Sequence, residues 1–448
     1  MDVPAKGNIL GRMVPARYVL AILGSIGMAI VYGLKVNLSV AMVGMLNHTA
    51  IEASVHDVQD DDNFTAPAED MQCDATGNST SAKEADGPFL WSSEIQGIVL
   101  SCYFWGYFVS QIPGGRIAEL FSAKWVMFFS VTINVVCTLL TPVMAEAHYV
   151  AVVIMRVGEG IGGGVTFPAM HVLLSKWAPP AERSVMAALV YAGTSLGTVI
   201  SMLMAGVLTA TLGWESVFYV MGGLSCAWCV LWVWLVQDSP QSQPLISVEE
   251  REMIVTSLGG KANDHEHKQK LAVPWKAVFT SGPFLAILVA HACSNWGWYM
   301  LLIELPFYMK QVLKFNMTEN AVTTALPFLS LWFFSIGLSR GLDWLRSRGV
   351  ITTTTARKIG TLFGTLMAIT NTVATIPGIV VPIFVGILTH GNQTISAWRI
   401  IFFVTIALYV VEIVVYTIFG SGEEQSWNKV PEVDEKSEGK PLKNEESV

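Results

Sequence analysis

The feature that most constrains this chain is a succession of ten apolar runs, each long enough for a membrane-crossing helix. They cover residues 17–46, 93–114, 125–144, 147–174, 184–211, 214–236, 280–309, 321–342, 359–389 and 397–420. A helix needs about 20 apolar residues to cross the hydrocarbon core. Alternation at period 2, the mark of barrel strands, is absent. In lipid every backbone N–H and C=O must be satisfied within its own segment, so such runs fold as helices. Composition agrees: 52% of the 448 residues are hydrophobic and 14% charged, against about 25% charged in soluble domains. That much apolar surface on a soluble fold would aggregate. The expected fold class is an all-α membrane protein, with the lipid bilayer as partner and no nucleic-acid partner.

Orientation follows from the basic residues, which concentrate in cytoplasmic loops. With a cytoplasmic N-terminus, 21 of the 27 Lys and Arg fall inside, and both termini are cytoplasmic. Glycosylation sequons at Asn47, Asn63, Asn78, Asn316 and Asn392 then all fall outside. The expected organisation is a cytoplasmic tail over 1–16, a six-helix repeat over 17–236, a cytoplasmic linker over 237–279, a shorter repeat over 280–420 and a disordered cytoplasmic tail over 421–448. Within the first repeat, 46–92 reads as a glycosylated exofacial loop, acidic and poor in apolar residues. Five of the six cysteines lie in apolar runs, so Cys226-x-x-Cys229 reads as packing. The first run is too long for a signal-peptide core.

The chain repeats itself. Gly115–Lys124 after the second run and Ser339–Arg348 after the eighth each combine a carboxylate with basic residues, read as a short cytoplasmic turn. Trp214–Tyr219 and Trp398–Phe403 open the sixth and last runs alike. Two repeats around a midplane site are the plan of many secondary transporters. The halves are unequal, however. Lys124 to Ser184 spans 60 residues and two runs, whereas the matching interval from Gly349 to Phe363 spans 14 and holds none. The count is six plus four, with a pair of helices missing near 358–364.

These segments resemble the major facilitator superfamily, and more narrowly the anion–cation symporters: sialin, the vesicular glutamate transporters and the sodium–phosphate cotransporters. The resemblance rests on Val36–Met42, Phe104–Tyr107 continuing to Gln111–Gly115, Thr166–His171, Trp177–Ser184, Leu305–Tyr308 and Gly364–Asn371. The subgroup it resembles most is the insect inorganic phosphate cotransporters. The family has twelve spans, and the gap falls where the ninth and tenth would be.

Ionisable groups at bilayer depth cost about 2.5–3.5 kcal/mol on insertion scales and mark functional sites by default. Arg156 and Glu159, spaced i,i+3, share a helix face. They read either as an anion site or as a self-neutralising ion pair. Lys35 reads as anion-binding or as snorkelling. The resemblance favours the anion reading for Arg156, which matches the family's substrate-region Arg, while the position of Lys35 near the middle of its run favours it over snorkelling there. Where sialin carries a Glu, this chain has Gly163, leaving Glu159 as the only carboxylate on that face. Tyr107, Asn295 and Tyr299 are candidate liners. Glu119, Lys124, Glu182, Arg183 and Asp343 are candidate gating residues. Glu304 is expected at a wet outer end, and Glu412 is expected to have an unnamed partner in the bundle. The function implied is secondary active symport of phosphate or a small organic anion, driven by Na+ or H+, by a monomer without other cofactor. The membrane would be the plasma membrane or an endolysosomal or vesicular one. The alternative is a truncated, inactive form. Enzyme signatures such as GxSxG and HExxH are absent.

Overall fold

The computed structural model describes residues 15–47, 49–51, 87–180, 182–258, 276, 279–348, 369–390 and 394–420. The first half comprises α1 (Ala16–Met45), α2 (Ser93–Leu120), α3 (Ala123–Ala147), α4 (Tyr149–Trp177), α5 (Arg183–Leu212) and α6 (Trp214–Leu235). A short helix, α7 (Val248–Ser257), lies in the linker. The second half comprises α8 (Gly282–Tyr299), a π-helical turn at Met300–Glu304, α9 (Leu305–Gln311), α10 (Met317–Ser347), α11 (Ile369–Ala374), α12 (Ile376–Leu388) and α13 (Ile395–Phe419). Among the described residues, eight spans are long and apolar enough to cross a membrane. Two further long helices, α2 and α10, occupy the remaining expected runs. No β-strand occurs among the described residues, only one isolated bridge between Leu46 and Phe89.

Local sequence explains where the helices begin. The hydroxyl of Ser92 accepts from Ile95 N, that of Ser122 from Trp125 N, that of Ser247 from Glu250 N and that of Thr394 from Ala397 N. Pro113, Pro142 and Pro168 lie inside helices, which membrane bundles tolerate because neighbours satisfy the freed carbonyls. The charged segments read as turns are instead mostly helical. Gly115–Leu120 forms the last turns of α2, and Ser339–Ser347 belongs to α10. Arg116 and Glu119 pair at i,i+3 on the exposed helix face, which favours continuing the helix.

Within the first half, α2 packs along α4, α1 along α5 and α3 along α4. The halves meet chiefly through α5 with α10 and α2 with α12. The largest apolar core joins all six first-half helices to Tyr299, Leu302, Ile303 and Phe307 and to Met317, Ala325 and Phe328 of α10 in the second half. Two small clusters of their own chiefly serve α12, α13 and most of α8. The interval near 358–364, the sequons at Asn63, Asn78 and Asn392, and the tails 1–14 and 421–448 lie outside the described residues. Asn47 ends α1's loop side half-buried, and Asn316 is exposed.

Candidate functional site

Lys35 lies mid-way along α1 and is 6% exposed. It is not snorkelling. Its ammonium sits within 5.6 Å of five ring centroids: Tyr32 at 5.0 Å, Tyr103 at 5.6 Å, Phe104 at 4.7 Å, Tyr107 at 5.5 Å and Tyr299 at 4.7 Å. Helix periodicity builds this cage. Tyr32 is one turn before Lys35 on α1, while Tyr103 and Tyr107 are one turn apart on α2. Tyr299 ends α8, immediately before the π turn, and its ring meets Phe104 edge-on at 4.6 Å. Cation–π attraction contributes about 2 kcal/mol or more per desolvated cation. It stabilises the charge without consuming the ammonium's N–H donors. Among the described residues no carboxylate oxygen pairs with Lys35.

Arg156 and Glu159, both nearly fully buried on α4, form an ion pair between Nη1 and the carboxylate. Thr138 of α3 donates to the other Glu159 oxygen at 2.8 Å. Arg156 also donates to α1 backbone, to Leu34 O at 3.3 Å and Lys35 O at 2.8 Å. Its guanidinium lies 5.2 Å from the Tyr103 ring centroid. Arg156 therefore holds the α1 backbone at Lys35 and is neutralised by Glu159. Formal charges in the cluster sum to one positive charge, on Lys35.

Gly163 faces this site. A Cβ there would collide with the Tyr103 hydroxyl, and one at Gly160 with the Tyr103 carbonyl oxygen. The glycine run is thus what lets α2 and α4 approach, and the Tyr103 hydroxyl fills the space a side chain at 163 would need. From the second half, Asn371 of α11 donates to the Tyr107 hydroxyl at 3.4 Å. Tyr107 and Tyr299 are therefore brought to Lys35. Asn295 spends its amide nitrogen on His291 O of its own helix.

The gating candidates sit apart from the cage, at the linker end. Lys124 donates from Nζ to Gln237 Oε1 at 3.1 Å and from its backbone N to Asp238 Oδ1 at 2.9 Å. Ser122 donates to the other Asp238 oxygen, and Trp232 donates to Lys124 O. Glu182 receives Arg17 Nε at 2.8 Å and the Tyr18 hydroxyl at 3.2 Å. Hydrogen bonds from Arg17, with its charge and Tyr18, hold the Glu182 carboxyl below the usual carboxylate range. Arg17 also pairs with Glu250 of α7 at 3.0 Å. Glu250 in turn accepts from Ala16 N and Arg17 N, capping α1. These described latches close within the first half and the linker. Glu119 pairs with Arg116, Arg183 is exposed at the start of α5, and Asp343 lies on α10 with its side chain outside the description. The expectation for Glu304 is corrected: it is 5% exposed rather than wet, because the π turn carries it inward. Glu412 finds its partner in Ser294 of α8.

The sequence assigned no site role to Tyr103, Thr138, Arg17, Asp238 and Glu250, and it marked Phe104 and Asn371 only as ends of family-resembling segments. The one-turn spacing of Tyr103 and Tyr107 was a usable signal, but the rest needed the tertiary contacts.

A sequence profile described as the Major Facilitator Superfamily matches residues 24–368. The chain belongs to the major facilitator superfamily. Its relatives within the superfamily include human sialin, 36% identical over 92% of this chain and 90% of sialin. Human vesicular glutamate transporter 2 is 32% identical over 95% of this chain and 77% of its own length. A Drosophila melanogaster protein with a provisional inorganic phosphate cotransporter name is 34% identical over 95% and 88%. The sialin alignment runs over 468 residues, more than the 448 present here, so sialin holds residues without a counterpart in this chain. Superfamily folds in solved structures agree. The nucleoside transporter NupG gives a TM-score of 0.54 at 11% identity over 90% of this chain and all of NupG. A bacterial homolog of the human lysosomal transporter Spinster gives 0.53 at 12% over 91% and 81%. The protein is a multi-pass membrane protein of a transporter family.

Proposed function

We propose that this protein is a secondary active transporter of a small anion, phosphate or an organic acid, coupled to a cation and working by alternating access. One observation carries this reading. Lys35 is a buried ammonium with no carboxylate partner among the described residues, and rings from both halves enclose it. An uncompensated charge at bilayer depth is costly, and an anionic solute supplies the missing charge. A site whose wall comes from α1, α2 and α8 is opened or closed by motion of one half against the other, as repeat-built transporters require. The relatives named for sialin, glutamate and phosphate support an anionic cargo. The basic-residue distribution supports cytoplasmic termini, and the sequons at Asn47 and Asn316 support a glycosylated outer face. The name of the vesicular glutamate transporters supports a vesicular membrane.

Counterflow in reconstituted vesicles tests this directly, with labelled phosphate set against a panel of organic acids. Lys35→Gln should remove exchange while protein yield and monodispersity persist. Exchange that survives the substitution refutes the site. The rival reading, an inactive truncated form, draws on one packing fact. α10 rests on α5 of the other half and, in its own half, chiefly on the short α9. Absence of exchange for every anion in a well-folded preparation would favour that rival.

A further inference from the structure

Glu304 is the buried acid that the anion site leaves unused. It occupies the last position of the π turn, is 5% exposed, and its Oε1 has no hydrogen-bond partner among the described residues. It opens into a small cleft of about 20 Å³, room for one water-sized species, between α2, α9, α12 and α13, at the end of the bundle remote from the linker. Gln96 of α2, Gln311 of α9 and Thr389 of α12 bring further oxygens to the cleft wall. Trp398 of α13, 1% exposed, brings an indole N–H that also lacks a partner among the described residues. No other lining residue is titratable. From α1, which packs on the π turn, Ser39 donates to Leu302 O at 3.3 Å, while Lys35 is turned into its cage.

We propose that Glu304 takes up the coupling cation, a single positive charge supplied as Na+ or as a proton from the outer end. This rests on the transport reading above and deepens it. The alternatives for this role are committed elsewhere. Glu159 is held by Arg156 and Thr138, Glu412 bonds Ser294, and position 163 is glycine. A carboxylate in a low-dielectric site is stable only when neutralised. Hard monovalent cations favour the carboxylate and carbonyl oxygens found here, and a proton neutralises the same carboxylate. The site also connects to the cage. Glu304 is five residues beyond Tyr299 on one continuous segment, and the π turn between them is fastened to α1 through Ser39. π-helical insertions recur at functional sites because they shift register locally. Filling the Glu304 cleft from outside thereby bears on the ring that closes over Lys35.

The test uses purified full-length protein and two readouts. Tryptophan fluorescence is titrated with NaCl against choline chloride at fixed pH, and separately with pH without Na+. The wild type should show a saturable change in one titration, which Glu304→Gln and Trp398→Phe both remove. A Na+ response identifies the ion as Na+, and a pH response alone identifies a proton. Equal responses in wild type and Glu304→Gln overturn the proposal. In vesicles, with phosphate and gluconate as probes, Glu304→Gln should lose gradient-driven uptake but keep counterflow, since exchange requires no net cation release. Retained gradient-driven uptake in Glu304→Gln also overturns it. Lys35→Gln should show the reverse pattern, keeping the cation response and losing counterflow. A cation response in a wild type without anion flux sinks the transport reading and leaves the cation site standing.

Discussion

At the scale of single residues, the site is set by what Tyr103 does. Its ring stands near both Lys35 and Arg156, and its hydroxyl occupies the space over Gly163. Gly163→Ala should therefore destabilise the folded protein by about 1–3 kcal/mol, the usual cost of overpacking. Tyr103→Phe in the same chain should restore part of the loss. Thermal unfolding of the two single variants and the double variant in detergent checks this. The sequence made the charges legible and their company not. Lys35, Arg156 and Glu159 stand out because ionisable residues in apolar runs are rare. That Arg156 grips α1 carbonyls while Lys35 is caged depends on how α1, α2 and α4 are placed, which spacing along one helix does not encode. Glu304 was misplaced because its distance from the segment's end implied water, whereas a π turn rotates it inward.

At the scale of elements, α7 is a strap on the first half. Glu250 caps the start of α1 and shares Arg17 with Glu182, so one arginine joins α1, the start of α5 and the linker. Because Arg17 lowers the Glu182 acidity constant's midpoint, the contact is fully present above the ordinary carboxylate pKa of about 4.3. It is lost only as pH falls through the lower folded-state value. The Arg17–Glu182 contact between α1 and the start of α5 should thus survive acidification to about pH 5 and be lost only below that window. Limited proteolysis of the connection between α4 and α5 across a pH series, using an acid-tolerant protease, reads this. Glu250→Gln should expose the linker to cleavage already at neutral pH. The positions of the helices were legible from the apolar runs, whereas the Ser and Thr caps that set their starts came from the structure. The charged segments that end α2 and α10 were misread as turns; in α2 the Arg116–Glu119 pair at i,i+3 favours helix beyond the apolar boundary.

At the scale of the whole molecule, the halves are stabilised unequally. The first half shares one large core, whereas α12, α13 and most of α8 rely on small clusters. Amide exchange should accordingly be faster in α12 and α13 than in α2 and α4, as expected where fewer buried contacts oppose local opening. Hydrogen–deuterium exchange with peptide mapping gives the comparison, and equal protection would contradict it.

The bridge at the end of α1 has a consequence for the long insertion that follows. Phe89 N donates to Met45 O, Gly87 N to Leu46 O and Asn47 N to Phe89 O, so the chain leaves and re-enters the bundle through one stapled doorway. The segment 52–86 is thereby tied at both of its flanks to one place on the bundle. Replacing 52–86 with a short Gly-Ser tether should leave yield and melting temperature unchanged, because the staple that seats α1 and the approach to α2 is made by residues outside it.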